Sequence, residues 1–92
     1  MFDLEKLKES YCGDLCWLEE LKKQIEENAD KIEHIETVRN LLATLFNMNY
    51  VVVETETEEY ASKYNIAVAD IYCQMKYDLT NMLGISEFWE MI

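Results

Sequence analysis

Residues 31–46 read KIEHIETVRNLLATLF and decide the fold. Apolar side chains recur in this stretch at intervals of three and four residues, which is the spacing of one helical face. They are Ile32, Ile35, Val38, Leu42, Leu45 and Phe46. Two acidic and two basic residues cancel within residues 31–49, so the predicted helix carries no net charge. We therefore expect it to be the central and most buried helix.

Two boundaries in the first half of the chain are marked by a capping pattern or a glycine. Asp30 and Glu33 have the spacing of a capping box, which predicts that the central helix begins at residue 31. An earlier amphipathic stretch covers residues 2–28 and is interrupted at Gly13. This glycine marks either a kink or the end of one helix, with Asp14 as the N-cap of the next.

The second half of the chain contains the one segment with a β pattern. A turn is predicted at residues 47–49, and the β-branched run that follows favours a strand over residues 50–57. Helical spacing then returns and predicts a helix over residues 58–83 that Gly84 ends. The apolar tail has Ser86 as a plausible N-cap and is expected to dock on the core or in a partner's groove.

Residues that interrupt helices and strands are nearly absent, since the chain of 92 residues has no proline and two glycines. This composition favours long helices over a sandwich with many turns. We therefore expect a mostly α fold, a small helical bundle of three to four helices, with at most one short β element around residues 50–57. The length predicts a single domain over residues 1–92.

The charge is strongly negative although half of the residues are hydrophobic. Nineteen acidic residues face eight basic ones, which gives a net charge of −11. A folded acidic protein favours a positively charged partner. Binding to nucleic acid needs clustered Lys and Arg, and anionic membranes repel such a chain, so we expect neither as a direct partner. No stretch approaches the ~20 apolar residues that cross a bilayer.

The densest acidic run lies directly after the predicted turn. In an extended segment, Glu54, Glu56 and Glu58 project from one face at intervals of about 6.5–7 Å. Such a row imitates nucleic-acid phosphates, and a neighbouring tyrosine lets an arginine pair and stack at once. The alternative is a solvated edge strand whose charges prevent aggregation. The predicted partner-binding residues are Glu54, Glu56, Glu58, Glu59, Tyr60 and Asp70.

The chain contains the residue types of a Cys3His zinc site. They are Cys12, Cys16, Cys73 and His34. No C-x-x-C pair is present, however, and the residues are far apart in sequence. We therefore expect buried structural thiols, a surface histidine and no metal or other cofactor. Three sparse cysteines also favour free thiols and a cytoplasmic location.

No catalytic signature is present, so we expect a protein that is not an enzyme. In size and charge the chain resembles the nucleic-acid-mimicking proteins of phages and mobile elements, of which the anti-CRISPR proteins are a large group. This resemblance implies an inhibitor that covers the basic, nucleic-acid-binding surface of a partner protein.

The alternative function is that of a structural or adaptor protein that associates with itself as a homodimer. Apolar residues of the first half of the chain partly follow a heptad pattern, which is typical of a coiled-coil-like dimer seam. The residues of this predicted seam are Leu18, Leu21, Ile25, Ile32 and Ile35.

Overall fold

The computed structural model describes the backbone of residues 1–54 and 61–92, with side chains in residues 1–13, 15–49 and 69–92. These residues form five α-helices and no strand. The helices are α1 (Leu4–Glu9), α2 (Asp14–Glu27), α3 (Ile35–Glu54), α4 (Ala61–Leu83) and α5 (Phe88–Met91). Three of them are long, so the predicted mostly α bundle is confirmed.

The break between α1 and α2 lies at the predicted glycine. Gly13 precedes α2 with φ 157° and ψ 165°, a combination that only glycine adopts without strain. Asp14 is therefore the first residue of α2 and not its N-cap, as one of the two predictions had it. The chain needs a sharp change of direction here, and glycine allows it because it lacks a Cβ.

The short helix α1 is held in place by contacts with α2. A helix of six residues is marginal by itself, since nucleation costs more than so few hydrogen bonds return. The buried Gln24 accepts a hydrogen bond from the Asp3 backbone N–H at 2.8 Å and donates one to the Asp3 carbonyl at 3.1 Å. Leu7, fully buried, adds an apolar anchor.

The central helix begins four residues later than predicted. Residues Ala29–Lys31 form a 3-10 turn, Ile32 is extended, and α3 begins at Ile35. His34, directly before α3, has a positive φ of 58°, which no α-helix accommodates. The prediction of a capping box at Asp30 is therefore wrong. The irregular link before α3 places both Ile32 and Ile35 against the core, which accounts for the later start of the helix.

The predicted turn at residues 47–49 and the strand that follows it are contradicted in the described residues. Helix α3 runs without a break to Glu54, whereas residues 55–57 lie outside the described part of the chain. Each valine costs a helix only about 0.5 kcal/mol relative to alanine. A lone strand would leave its backbone groups without partners, whereas a continued helix satisfies them one residue at a time.

Helix α4 ends as predicted at Gly84, which has a positive φ of 71°. The N–H of Ile85 donates to the Thr80 carbonyl at 2.9 Å, and that of Gly84 donates to the Asn81 carbonyl at 3.1 Å. This pair of bonds is a Schellman motif, which uses a left-handed glycine to turn the chain. The predicted start of this helix at residue 58 lies outside the described residues.

The C-terminal tail docks on the core of its own chain. Ser86 is not the N-cap, since α5 begins at Phe88 after Glu87 and no side chain caps it. Phe88 is fully buried and stacks on Trp17 with 5.4 Å between the ring centroids. Trp89 lies 5.3 Å from Trp17 and 5.0 Å from Tyr77. These aromatic rings join α2, α4 and α5.

The core lies among α2, α3 and α4, with α3 against both other helices. Helix α3 is central, as predicted, and its Val38, Leu42 and Leu45 are buried. The prediction that it is the most buried helix is wrong for the described side chains, because α2 buries more of them. From α2 the core receives Trp17, Leu18, Leu21 and Ile25, all fully buried. The described part of α4 and the tail contribute Tyr72, Leu79, Leu83, Ile85 and Phe88.

Candidate partner-binding surface

The structure describes only part of the predicted acidic run. Glu54 is the last residue of α3, and Asp70 is an exposed residue of α4. The other predicted residues, Glu56, Glu58, Glu59 and Tyr60, lie outside the described residues. Because Glu54 is helical, the predicted alternation of carboxylates along a strand fails at its first member. The candidate surface is therefore built from the described residues around Asp70.

One face of α4 is open to solvent from Asp70 to Met82. Asp70, Gln74 and Asp78 follow each other at intervals of four residues, which places them on one side of the helix. The two carboxylates are about 12 Å apart along the helix axis. Gln74 donates a hydrogen bond to Asp78 at 3.0 Å, and this contact holds the carboxylate in position.

Large apolar side chains lie among these carboxylates. Ile71 is 56% exposed, Tyr77 is 49% exposed and Met82 is 46% exposed. Helical spacing puts all three on the same half of α4 as Asp70 and Asp78. An arginine of a partner could pair with a carboxylate here and stack on Tyr77. This open half of α4, together with the exposed Glu87 and Glu90, is called the C-terminal acidic surface below.

The C-terminal acidic surface has no exposed cation within residues 69–92. The single basic residue of this segment, Lys76, is 8% exposed. Its ammonium group lies 4.9 Å from the ring centre of Tyr72 and 5.5 Å from that of Trp89. Four carboxylates of the same segment are exposed, those of Asp70, Asp78, Glu87 and Glu90. The segment therefore shows solvent a negative charge that its own lysine does not cover.

Helix α5 is fixed beside α4 by a side-chain hydrogen bond. The indole Nε1 of Trp89 donates to the hydroxyl of the buried Thr80 at 2.8 Å. The tyrosine of the open face, Tyr77, packs against the same indole. Glu90 of α5, and Glu87 directly before it, are consequently held beside α4 through the indole of Trp89.

The acidic residues between α2 and α3 are arranged differently. Arg39 donates two hydrogen bonds to the carboxylate of Glu26, at 2.8 and 2.9 Å, and one to Glu36 at 2.7 Å. Hydrogen bonding from Arg39 lowers the pKa of the Glu26 carboxyl below its ordinary value. These two carboxylates already have a cationic partner, so this region offers less to a basic protein.

The cysteines contradict the prediction of buried free thiols. Cys12 and Cys16 form a disulfide, and all three cysteines are exposed. The remaining thiol, Cys73, is on α4, and His34 lies beside Glu33 at 3.9 Å. Within the residues that the structure describes, no three metal-binding side chains lie together. The Cys3His set is therefore not assembled.

The predicted dimer seam lies largely inside the single chain. Leu18, Leu21 and Ile25 are fully buried against the core, and Ile32 and Ile35 are half-buried. In this fold these side chains pack within one chain. Self-association itself stays a prediction, and it would need a different surface.

Sequence reasoning found Asp70 and missed the rest of the C-terminal acidic surface. Ile71 and Met82 repeat at helical spacing, which predicted the helix over residues 58–83 but not which of its sides is exposed. The signal that could have indicated the exposed side is the phase of the polar residues. Asp70, Gln74 and Asp78 share one side of the helix, and Ile71 and Met82 lie at its margin.

Comparison with known proteins finds no family, no curated protein and no solved structure that matches the chain. Among the described helices, none combines the length and the apolar character that crossing a membrane requires.

Proposed function

We propose that this protein is a non-enzymatic inhibitor that covers a basic, nucleic-acid-binding surface of a partner protein. In this proposal the protein acts as a nucleic-acid mimic of the kind that phages and mobile elements carry, such as an anti-CRISPR protein. It rests mainly on one observation, which is that residues 69–92 expose four carboxylates while their single lysine is buried under two rings. A surface of this kind attracts Arg and Lys and repels phosphate.

The apolar side chains of the C-terminal acidic surface favour a protein as its partner, because small counterions would not use apolar contacts. Ile71, Tyr77 and Met82 offer contact area that a basic protein can bury once the charges have brought it into place. Charge would then govern the rate of association, and the apolar contacts would slow dissociation. The predicted residues Glu54, Glu56, Glu58, Glu59 and Tyr60 remain part of the proposed surface on the basis of their sequence alone.

The proposal keeps the cytoplasmic location that the sparse cysteines favoured. The Cys12–Cys16 disulfide is the observation that weighs against this location, since disulfides are uncommon in a reducing compartment. Neither nucleic acid nor a membrane is proposed as a direct partner, because both are anionic.

The test is capture of partner proteins on the immobilised chain, with the charge of the surface reversed in a variant. We expect the wild type to retain nucleic-acid-binding proteins at about 50 mM salt and to release them at about 500 mM. Free double-stranded DNA should displace the same proteins, because it competes for the same basic surface. The variant Asp70→Lys/Asp78→Lys should lose at least about tenfold in affinity.

A matched control separates this surface from net charge. Asp30→Lys/Glu33→Lys changes the net charge by the same amount at exposed positions outside α4 and α5. It should retain most of the binding. Equal losses in the two variants, or captured proteins that DNA does not displace, would contradict the proposal.

The alternative of self-association is tested by sedimentation at about micromolar concentration, where a useful homodimer is still assembled. A monomer under these conditions removes the alternative and leaves the inhibitor proposal untouched. A dimer that dissociates in the variant Ile71→Glu/Met82→Glu would instead assign the open face of α4 to a second copy.

A further inference from the structure

The disulfide lies across the joint between α1 and α2. Cys12 belongs to the link after α1, and Cys16 belongs to the first turn of α2, four residues further on. Both residues are exposed, and their Cα atoms are 6.1 Å apart. An exposed disulfide is more labile than a typical structural one, because a thiolate from solution can reach it.

Charged side chains surround this disulfide. The pair lines a shallow, open cavity of about 510 Å³. The other residues that line it are Glu9, Ser10, Glu19, Glu20 and Lys23. Three carboxylates therefore face one ammonium group of the lining, and Lys6 approaches Glu20 from outside it at 3.5 Å. A further carboxylate, Asp14, lies between the two cysteines in the sequence.

We propose that Cys12 and Cys16 form a site of reversible thiol–disulfide exchange that selects cationic thiols over anionic ones. The carboxylates of Glu9 and Glu19 repel an anionic reagent and attract a cationic one before any bond is broken, whereas Glu20 is paired with Lys6. The reagent class is thus a low-molecular-weight thiol with an ammonium group, or the corresponding disulfide in the direction of oxidation.

The exchange takes two electrons and proceeds in two steps. A thiolate attacks the Sγ of Cys12, the S–S bond breaks, and the electron pair leaves on the Sγ of Cys16. A second thiolate then attacks the small-molecule sulfur of the mixed disulfide and releases the Cys12 thiolate. The products are one small-molecule disulfide and two protein thiols, which take up two protons according to their pKa values.

Cys16 is the sulfur expected to leave, because of its place in the fold. Its backbone is in the first turn of a helix of fourteen residues, where free N–H groups favour a negative charge. Cys12 lies outside the helix and lacks this stabilisation. The better leaving group departs faster, so the mixed disulfide forms on Cys12.

The test compares three thiols of similar size in the variant Cys73→Ser, which removes the remaining thiol. The reagents are cysteamine, mercaptoethanol and mercaptopropionate, which are cationic, neutral and anionic. Each rate of reduction is divided by the rate of the same thiol with a small uncharged disulfide, so that intrinsic reactivity cancels. Alkylation and mass spectrometry count the protein thiols, from none in the oxidised form to two after reduction.

We expect cysteamine to exceed mercaptopropionate about tenfold at low ionic strength and about twofold in about 0.5 M salt. Alkylation should place the trapped mixed disulfide on Cys12. Removing two charges of the cavity with Glu9→Gln/Glu19→Gln should lower the preference to about threefold. The control Asp30→Asn/Glu33→Gln removes two charges elsewhere and should keep the tenfold preference.

Three results would overturn this inference. The first is failure of the oxidised form to appear with a low-molecular-weight disulfide in excess. The second is equal normalised rates for the three thiols, and the third is an equal response of the two charge variants. Circular dichroism of each variant shows that its helices are intact, so that a change in rate reports on charge and not on unfolding.

Discussion

Two regions of this molecule carry many carboxylates and differ in whether their basic residue is exposed or buried. Between α2 and α3, Arg39 lies at the surface and holds Glu26 and Glu36 at hydrogen-bond distance. In residues 69–92, Lys76 is withdrawn beneath Tyr72 and Trp89, and the carboxylates remain open. The first arrangement neutralises charge at the surface, and the second leaves it available.

The difference shows that a count of acidic residues does not identify a binding surface. Residues 1–30 and residues 50–92 have similar net charges, −5 and −6. Lys6 contacts Glu20 in the first of these segments, whereas Lys76 of the second is buried. The position of the cation decides what a basic partner would meet.

The largest expected effect concerns the contact that joins the C-terminal tail to α2. Phe88→Ala removes a fully buried ring from its stack on Trp17 and should lower the free energy of unfolding by about 3–5 kcal/mol. The same variant should detach α5 and thereby weaken partner binding. Urea denaturation gives the first quantity.

A matched control for this prediction is available four residues further on. Ile92→Ala truncates a side chain that is 51% exposed, and it should change the stability by less than about 0.5 kcal/mol. A Phe88→Ala variant as stable as this control would mean that the tail does not depend on the aromatic contacts.

The next effect in size tests the buried cation of the C-terminal region. Lys76→Met keeps the length of the side chain and removes the charge that faces two aromatic rings. We expect a loss of about 1–2 kcal/mol in urea denaturation, because cation–π contacts are stronger where water is excluded. A gain in stability would show that the desolvation of this ammonium group is larger than the stabilisation by its cation–π contacts.

The smallest effect is expected for the exposed cation. Arg39→Met removes the same charge as Lys76→Met, but the ion pairs of Arg39 lie in solvent and are screened. The loss should be smaller than for Lys76→Met and should vanish at high salt. Stability curves measured at several salt concentrations compare the two variants directly.

This comparison also predicts a dependence on pH. The pKa of Glu26 is lowered in the folded state, so the contribution of its pair is complete above the ordinary glutamate pKa of about 4.3. It is lost as the pH falls through the lowered value, because the carboxylate then takes up a proton. In Arg39→Met this part of the acid dependence should be absent, whereas an unchanged acid profile would contradict the assignment.

Several elements of the fold could be predicted because their causes are local. Gly13 directly precedes α2 and Gly84 directly follows α4, each with a backbone conformation that glycine adopts freely, and both breaks were predicted. The apolar spacing of residues 35–46 likewise identified the central helix. The valines at residues 51–53 misled the prediction. The strand preference of valine is weak, and α3 extends through these residues because each one adds a hydrogen bond to a helix that has already formed.

The candidate surface was harder to predict than the fold. Asp70 was identified, but Ile71 and Met82 were used only as evidence of a helix, because they repeat at helical spacing. Which side of a long helix faces solvent depends on the neighbours that cover it, and periodicity alone does not contain this information. The disulfide was missed because C-x-x-x-C pairs join only when a backbone bend brings them together.

Local hydrogen bonding and composition account for the helical class, for the breaks at the two glycines and for the large negative charge, so these could be read without coordinates. The tertiary structure alone decided which cations are exposed and which are buried. Lys76 meets Trp89, and Arg39 meets Glu26, each across thirteen residues of sequence. Contacts over that distance depend on how helices pack, because the packing sets which side chains lose their water.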